Sequence, residues 1–228
     1  MEKKLFKKAF YKTLPILLSY VVIGFGFGML LRQAGYGLLW AFAMSLLIYA
    51  GSMQYVGISL LSAPATLLTT VFTTLIVNAR HLFYSISMIK KYEKAGKFKP
   101  YLIFALTDET YALIASDKNT ANSYKYYFYV SLLNHMYWII GTILGSVFAK
   151  ALPFDIAGLE FSMTALFLVA FVEQWLDKKH KAPSIIGLLV TLLSRLIFGL
   201  SIFLIPAMIG IIVVLLLFKD RLGEVNGK

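Results

Sequence analysis

The chain has 228 residues, of which 59% are hydrophobic and 14% charged, and it contains no cysteine. A soluble domain is far less apolar, so the composition indicates an integral membrane protein, and the lack of cysteine excludes a disulfide framework, a thiol catalyst and a Cys-bearing metal site. The formal charge of +11 does not indicate nucleic acid, because the lysines concentrate in short segments between apolar runs, at 3–12, 90–99, 178–181 and 219–228.

The apolar segments predict an all-α, polytopic helical membrane protein. About 20 apolar residues cross a hydrocarbon core, and we predict apolar segments at 14–31, 37–61, 64–89, 124–149, 157–176, 183–199 and 200–218. The last two are separated because one helix over both would be about 54 Å long, and Gly199, Pro206 and Gly210 offer places to turn. The prediction is about six to seven spans, some broken or re-entrant, in a single transporter domain over 1–228.

The N-terminus resembles a signal sequence, because basic residues precede an apolar run. That run continues to about residue 31 without a small-x-small cleavage site. We therefore expect a retained first span that follows a basic amphipathic segment at 1–13.

The segment 37–61 carries a predicted break. Three full crossings before residue 90 would leave one of two basic segments outside, against the positive-inside rule. Gly51 and Ser52 divide the segment into pieces of about a dozen residues, each too short to span. Backbone exposed by a break is tolerated where it faces substrate, ion or water, so Gly51, Ser52 and Gln54 are candidate substrate ligands. The alternative is small-residue helix packing, of which GFGFG at 24–28 is a better example.

The stretch NARH at 78–81 places an amide, a guanidinium and an imidazole near the middle of an apolar segment. An arginine there costs roughly 3 kcal/mol, so Arg80 is expected to face a cavity or an acid. We predict that Arg80, with Asn78, holds a substrate carboxylate through its planar fork or that Arg80 pairs with Asp108 or Glu109. The alternative is a structural ion pair that locks two helices together. His81 is either a proton relay or a neutral residue that donates one helix-to-helix hydrogen bond.

The segment 101–116 has Asp108 and Glu109 in its middle and is too short and too acidic to cross alone. We expect it to be re-entrant or to lie against the bundle. Adjacent positions diverge by about 100° on a helix, so one acid faces the bundle. With His81, the two acids are candidates for proton coupling or for a substrate amino group, and the alternative is an interfacial acid tied to a lysine. His135 is interpreted as a packing residue.

A possible internal duplication aligns Gln54 with Gln174. APATLL at 63–68 then meets APSIIG at 182–187, and Arg80 meets Arg195. Transporters use such duplications for alternating access, with the site at the repeat interface. The alternative is chance similarity between short apolar strings.

Five motifs occur together and cover most of the chain: GFGFG at 24–28, YAGSMQ at 49–54, NARHLFY at 78–84, LTDETYAL at 106–113 and GLEFSMTALFLV at 158–169. With these motifs the chain resembles the AzlC family, the large subunit of bacterial branched-chain amino-acid exporters. The resemblance implies export of hydrophobic amino acids such as valine, leucine and isoleucine. It also implies a small, separately encoded membrane subunit, AzlD.

The sequence therefore predicts a secondary-active exporter in the bacterial inner membrane, with H⁺ as the candidate coupling ion. The sequence contains no Walker-type loop that would indicate ATP use. We expect no enzyme activity, because Ser52 and His81 are the only obvious nucleophile and base and lack a third member. We expect no cofactor, and no metal because the sequence lacks clustered His, Asp or Glu at ligand spacing. The alternative function is a channel or a non-transporting assembly subunit whose polar centre only docks a partner.

Overall fold

The computed structural model describes residues 2–62, 65–78, 80–116, 123–149, 168, 172, 175 and 181–218. These residues form helices without a β-strand among them, so the predicted all-α class is confirmed. The helices are α1 Glu2–Gln33, α2 Leu38–Leu47, α3 Gly51–Ser62, α4 Leu67–Asn78, α5 Arg80–Tyr92, a 3₁₀ helix Glu93–Phe98, α6 Lys99–Phe104, α7 Asp108–Ser116, α8 Tyr124–Phe148, α9 Lys181–Ile202 and α10 Leu204–Leu217. The chain divides into two compact units, 1–163 and 164–228, and each is described by itself.

Two described helices, α1 and α8, are long and apolar enough to cross a membrane. Their 32 and 25 residues correspond to about 48 and 38 Å. The basic segment predicted at 1–13 continues directly into the apolar part of α1. Large apolar side chains such as Leu18 on α1 and Leu67 on α4 are 68% and 82% exposed, as a surface that faces lipid requires. The full count of six to seven spans stays a prediction.

The helices α1 and α8 pack with their backbones in contact. Each carries two glycines four residues apart, Gly24 and Gly28 on α1 and Gly141 and Gly145 on α8, and a Cβ at any of the four would meet backbone atoms of the other helix. A Cβ at Gly145 would lie 1.9 Å from the carbonyl oxygen of Phe25. Small residues at such spacing let membrane helices approach closely. The interpretation of GFGFG as a packing motif is confirmed.

An aromatic and aliphatic core fixes the shorter helices to this pair. Its buried residues come from α1, α5, α6, α7 and α8 and include Ala9, Met88, Leu102, Ile114, Tyr126 and Val130. At the same end, Glu2 and Lys125 form an exposed ion pair between the first turns of α1 and α8. The hydrogen bond and the positive charge of Lys125 lower the pKa of Glu2.

The second unit contains α9 and α10. Gly199 inside α9 has φ +71° and ψ 178°, a conformation that glycine adopts without a steric penalty, and it interrupts the helix. The predicted separation of 183–199 from 200–218 is confirmed. Gly210 packs closely on α9, since a Cβ there would lie 2.8 Å from Val190 Cγ1.

The possible duplication is untested. Gln174 lies outside the described residues, and the side chain of Arg195 is exposed.

Candidate functional site

The first helix break lies between α2 and α3. Helix α2 ends at Leu47 and α3 begins at Gly51, so residues 48–50 connect them and Gly51 is the first residue of the second piece. Tyr49 has φ +44°, a left-handed conformation that costs a non-glycine residue about 1 kcal/mol or more. The predicted break is confirmed, and its kink precedes Gly51 and Ser52.

His135 on α8 holds the end of α2 at this break. In an unbroken helix the Ser45 carbonyl would accept from the N–H of Tyr49, but that N–H bonds to Met44 O at 3.3 Å. The Ser45 carbonyl lies 3.1 Å from His135 Nε2 instead. A carbonyl only accepts, so Nε2 carries a proton, and Nδ1 of a neutral ring accepts from the Tyr101 hydroxyl at 3.1 Å. The interpretation of His135 as a packing residue is confirmed.

The second break lies between α6 and α7. Helix α6 ends at Phe104 and α7 begins at Asp108. The pieces measure about 9 and 14 Å, so neither crosses a membrane, as the sequence predicted for 101–116. Asp108 and Glu109 occupy the first turn of α7, where a negative charge complements the helix dipole. Glu109 is the acid that faces the bundle, since its Oε2 accepts from the Tyr20 hydroxyl of α1 at 2.6 Å.

The two breaks lie side by side. The ring of Tyr49 in the first break is 6.3 Å from that of Phe104 at the second. Tyr49 also stacks on His135 with a centroid separation of 4.2 Å. The Tyr20 hydroxyl oxygen lies within hydrogen-bond distance, 2.7 Å, of Thr107 Oγ1 in the second break. Two short broken segments therefore meet against the long α1 and α8 helices.

Trp138 on α8 connects the two breaks. Its ring packs edge to face on Tyr20, with centroids 5.7 Å apart, and its indole Nε1 donates to Gln54 Oε1 at 2.9 Å. A Cβ at Gly51 would lie 3.1 Å from Trp138 Cη2, so the glycine lets the indole approach the start of α3. Trp138 thus fixes the orientation of Gln54 at the first break and touches the phenol that contacts Glu109 at the second.

Gln54 presents a buried donor at the start of α3. Its side chain is 1% exposed, and because an indole N–H only donates, the contact with Trp138 assigns Oε1 and leaves Nε2 facing elsewhere. Gln54 Nε2 has no hydrogen-bond partner among the described residues. The first turn of α3 adds backbone N–H groups that the helix itself cannot satisfy. This end of the site offers donors and the positive end of a helix dipole.

A second buried amide, Asn134, lies at the α7 end of the site. Its Nδ2 donates to Thr110 Oγ1 at 2.9 Å, and Thr107 Oγ1 also donates to Thr110 Oγ1, at 3.0 Å. Asn134 Oδ1 is buried and has no partner in the described part of the chain. Sequence reasoning missed Asn134, Thr107 and Thr110 together with Tyr20 and Trp138. A signal was present, because NHMYW places Asn134 and Trp138 four residues apart around His135 in an apolar segment.

The stretch 78–81 has local contacts. Asn78 Nδ2 donates to Thr74 O at 3.0 Å in its own helix, and His81 Nδ1 lies 3.2 Å from Asn78 O. The His81 ring packs on Tyr84, which stacks on Tyr111 of α7. The side chain of Arg80 lies outside the described part of the chain, so its predicted role is untested. Within the described ranges, no group of three or more His, Asp or Glu residues is arranged to hold a metal ion.

Comparisons with known proteins match most of the chain. A family model described as AzlC protein matches residues 15–152. The chain is 39% identical over 221 residues to the branched-chain amino acid transport protein AzlC of Bacillus subtilis (strain 168), covering 96% of this chain and 87% of that protein.

Two further relatives are membrane proteins by name. One, from Helicobacter pylori (strain J99), is 42% identical over 221 residues, covering 96% of this chain and 97% of the relative. The other, the inner membrane protein YgaZ of Escherichia coli (strain K12), is 27% identical over 206 residues, covering 86% and 82%. No solved structure matches this chain.

Proposed function

The chain belongs to the AzlC family of membrane transport proteins, and from that premise we propose that it is a secondary-active carrier that exports hydrophobic amino acids such as valine, leucine and isoleucine. We place it in the bacterial inner membrane, as a multi-pass protein that works with a small AzlD-like subunit. A hydrophobic amino acid is a zwitterion with an apolar side chain. Its carrier needs hydrogen-bond donors for the carboxylate, acceptors for the ammonium group and apolar walls.

The observation that carries the proposal is the buried Nε2 of Gln54 at the start of a broken helix. A buried donor without an acceptor costs about 1–3 kcal/mol, and a ligand that supplies the acceptor recovers it. Gln54 Nε2 lies in the first turn of α3, where the helix dipole also favours negative charge. A carboxylate satisfies both requirements, and broken helices in transporters receive substrate carboxylates in this way.

The proposed roles follow from this placement. Gly51, Ser52 and Gln54 bind the carboxylate at the first break, and Arg80, with Asn78, supplies the bidentate guanidinium contact. His81, Asp108 and Glu109 handle the coupled proton, with Asp108 and Glu109 at the second break. These residue roles and the proton coupling are proposals.

Counterflow in liposomes tests the carrier. The purified chain is reconstituted with and without its small subunit, the liposomes are loaded with unlabelled L-leucine, and uptake of labelled L-leucine or L-valine is measured. A carrier gives saturable counterflow in at least one of the two preparations. Its absence in both would reject the carrier and favour a subunit that only assembles a complex, whereas flux that does not saturate would indicate a channel.

Variants test the site. Gln54→Leu removes the buried donor and should lower counterflow by about tenfold or more, the scale of one hydrogen bond to a charged group. Gln33→Leu makes the same chemical change at the exposed end of α1 and should leave counterflow unchanged. Arg80→Ala should abolish export while the protein still inserts. Normal valine export by that variant would reject the role assigned to Arg80.

A further inference from the structure

Asn134 holds a buried acceptor in the same hydrogen-bonded cluster as a carboxylate. Its side chain has 0% exposure, and Oδ1 has no hydrogen-bond partner among the described residues. At the other end of the amide, Nδ2 donates to Thr110 Oγ1. Thr110 follows Glu109 directly in the first turn of α7. An amide oxygen and a carboxylate therefore belong to one polar cluster at the second break.

Hydrogen bonds join the cluster into one chain across three helices. Thr110 Oγ1 accepts from Thr107 Oγ1 at 3.0 Å, and Thr107 Oγ1 lies 2.7 Å from the Tyr20 hydroxyl oxygen. The single proton of that hydroxyl is donated to Glu109 Oε2, at 2.6 Å, because a carboxylate only accepts. These bonds hold α1, α7 and α8 together around the start of α7. Asn134 Oδ1 stands at the end of this chain as an acceptor to which no described residue donates.

The two orphaned amide atoms of the site are of opposite kind. Gln54 Nε2, at the first break, is a donor, and Asn134 Oδ1, at the second, is an acceptor. Asn134 lies four residues before Trp138 on α8, and Trp138 donates to Gln54 of α3, so the face of α8 that carries Asn134 also binds the Gln54 amide. A donor at the first break and, at the second, an acceptor that shares a polar cluster with a carboxylate match the two charged groups of a zwitterion.

We propose that Asn134 Oδ1 and the carboxylate of Glu109 form a subsite that binds the ammonium group of the transported amino acid. The proposal rests on the proposed transport function and adds a recognition residue to it. An ammonium group has three N–H donors and no acceptor, so it can bond to an amide oxygen and a carboxylate at once. The subsite makes a free ammonium group a requirement of the substrate.

Binding of two matched ligands tests the subsite. L-Leucine and 4-methylpentanoate share the carboxylate and the isobutyl side chain, but the second lacks the ammonium group. Both are titrated against the full chain in lipid nanodiscs. The wild type should bind leucine at least tenfold more tightly, because a hydrogen bond to a charged group is worth about that ratio. Asn134→Leu should lower leucine affinity about tenfold and change 4-methylpentanoate affinity less than threefold.

Two further variants guard against misfolding. Asn134→Asp keeps an acceptor oxygen at the position and should retain the preference for leucine, since the acceptor, and not the amide donor, is required. Ser131→Ala, which removes a buried hydroxyl from the same helix one turn earlier, should leave both affinities within twofold of the wild type. Loss of the leucine preference in Asn134→Asp would overturn the proposal.

The failures of the two proposals are distinguishable. If the wild type binds leucine but Asn134→Leu weakens both ligands equally, the ammonium subsite is wrong and the transport function stands. If the effect of Asn134→Leu appears in sodium buffer and vanishes in choline buffer, the oxygen atoms hold an alkali cation and the ammonium assignment is overturned. If the wild type neither binds leucine nor catalyses counterflow, the proposed function itself fails.

Discussion

Replacing Gly145 by alanine places one methyl group between two helix backbones. The added Cβ would lie 1.9 Å from the carbonyl oxygen of Phe25, whereas ordinary contact begins at 3.4 Å. The helices α1 and α8 must therefore separate by about 1.5 Å at that point, because a backbone carbonyl cannot rotate away as a side chain does. Overpacking costs about 1–3 kcal/mol, and an obstacle made of backbone belongs at the upper end.

The net effect includes a helix-propensity gain. Alanine is about 1 kcal/mol more favourable than glycine in a helix, so Gly145→Ala should lower the free energy of unfolding by about 2 kcal/mol. Gly57→Ala is the matched control, since the nearest atom to a Cβ there is Met44 Cε at 3.8 Å. The control should raise the free energy of unfolding by about 0.5–1 kcal/mol. The two variants carry the same chemical change, but the predicted changes in the free energy of unfolding have opposite signs.

Equilibrium unfolding in mixed micelles measures both effects. The mole fraction of sodium dodecyl sulfate is increased, and helix content is followed by far-ultraviolet circular dichroism. A free energy of unfolding for Gly145→Ala within about 0.5 kcal/mol of the wild type would refute the backbone contact. If the free energy of unfolding falls as much in Gly57→Ala as in Gly145→Ala, the effect is general to glycine positions. That result would equally refute the argument from the backbone contact.

Two other predictions concern polar contacts. Trp138→Phe keeps an aromatic ring but removes the indole N–H, so Gln54 Oε1 loses its donor. The free energy of unfolding should fall by about 1–3 kcal/mol in the same micelle assay, and leucine counterflow should fall with it. Unchanged values of both would contradict the positioning role of Trp138. The Lys125 contact lowers the pKa of Glu2, so the stabilisation from this pair is present above the pKa of the unfolded state, 4.5, and is lost as the pH falls through the lower folded value. Between pH 6 and pH 3, the unfolding midpoint should therefore decrease more in the wild type than in Glu2→Gln. Equal decreases in the two proteins would contradict the assignment.

The breaks could be predicted from the sequence because length and charge constrain them. Pieces of about a dozen residues cannot span a membrane, and this argument identified both the broken segment 37–61 and the short segment 101–116. Gly199 could be identified because a single helix over both last segments would be too long. In each case the evidence lies within one stretch of chain.

The partners of the site could not be predicted, because they join segments far apart in sequence. The Tyr20 contact with Glu109 spans 89 positions and the Trp138 contact with Gln54 spans 84. An apolar segment such as 124–149 gives no periodic signal that says which face meets protein and which meets lipid. His135 was interpreted correctly, but its neighbour Asn134 was overlooked because a single amide has many structural uses.

The glycine contacts between α1 and α8 restrict the movement of these two helices relative to each other. Carbonyl oxygens and Cα atoms of one helix fill the hollows of the other, so sliding or rolling would drive backbone into backbone. Among the described residues, the short helices on either side of 48–50 and 105–107 show no backbone contact of this kind and are held through side chains, so we expect them to shift more easily than α1 and α8. In the proposed transport cycle, we therefore expect α1 and α8 to keep their relative position while the short broken helices change theirs.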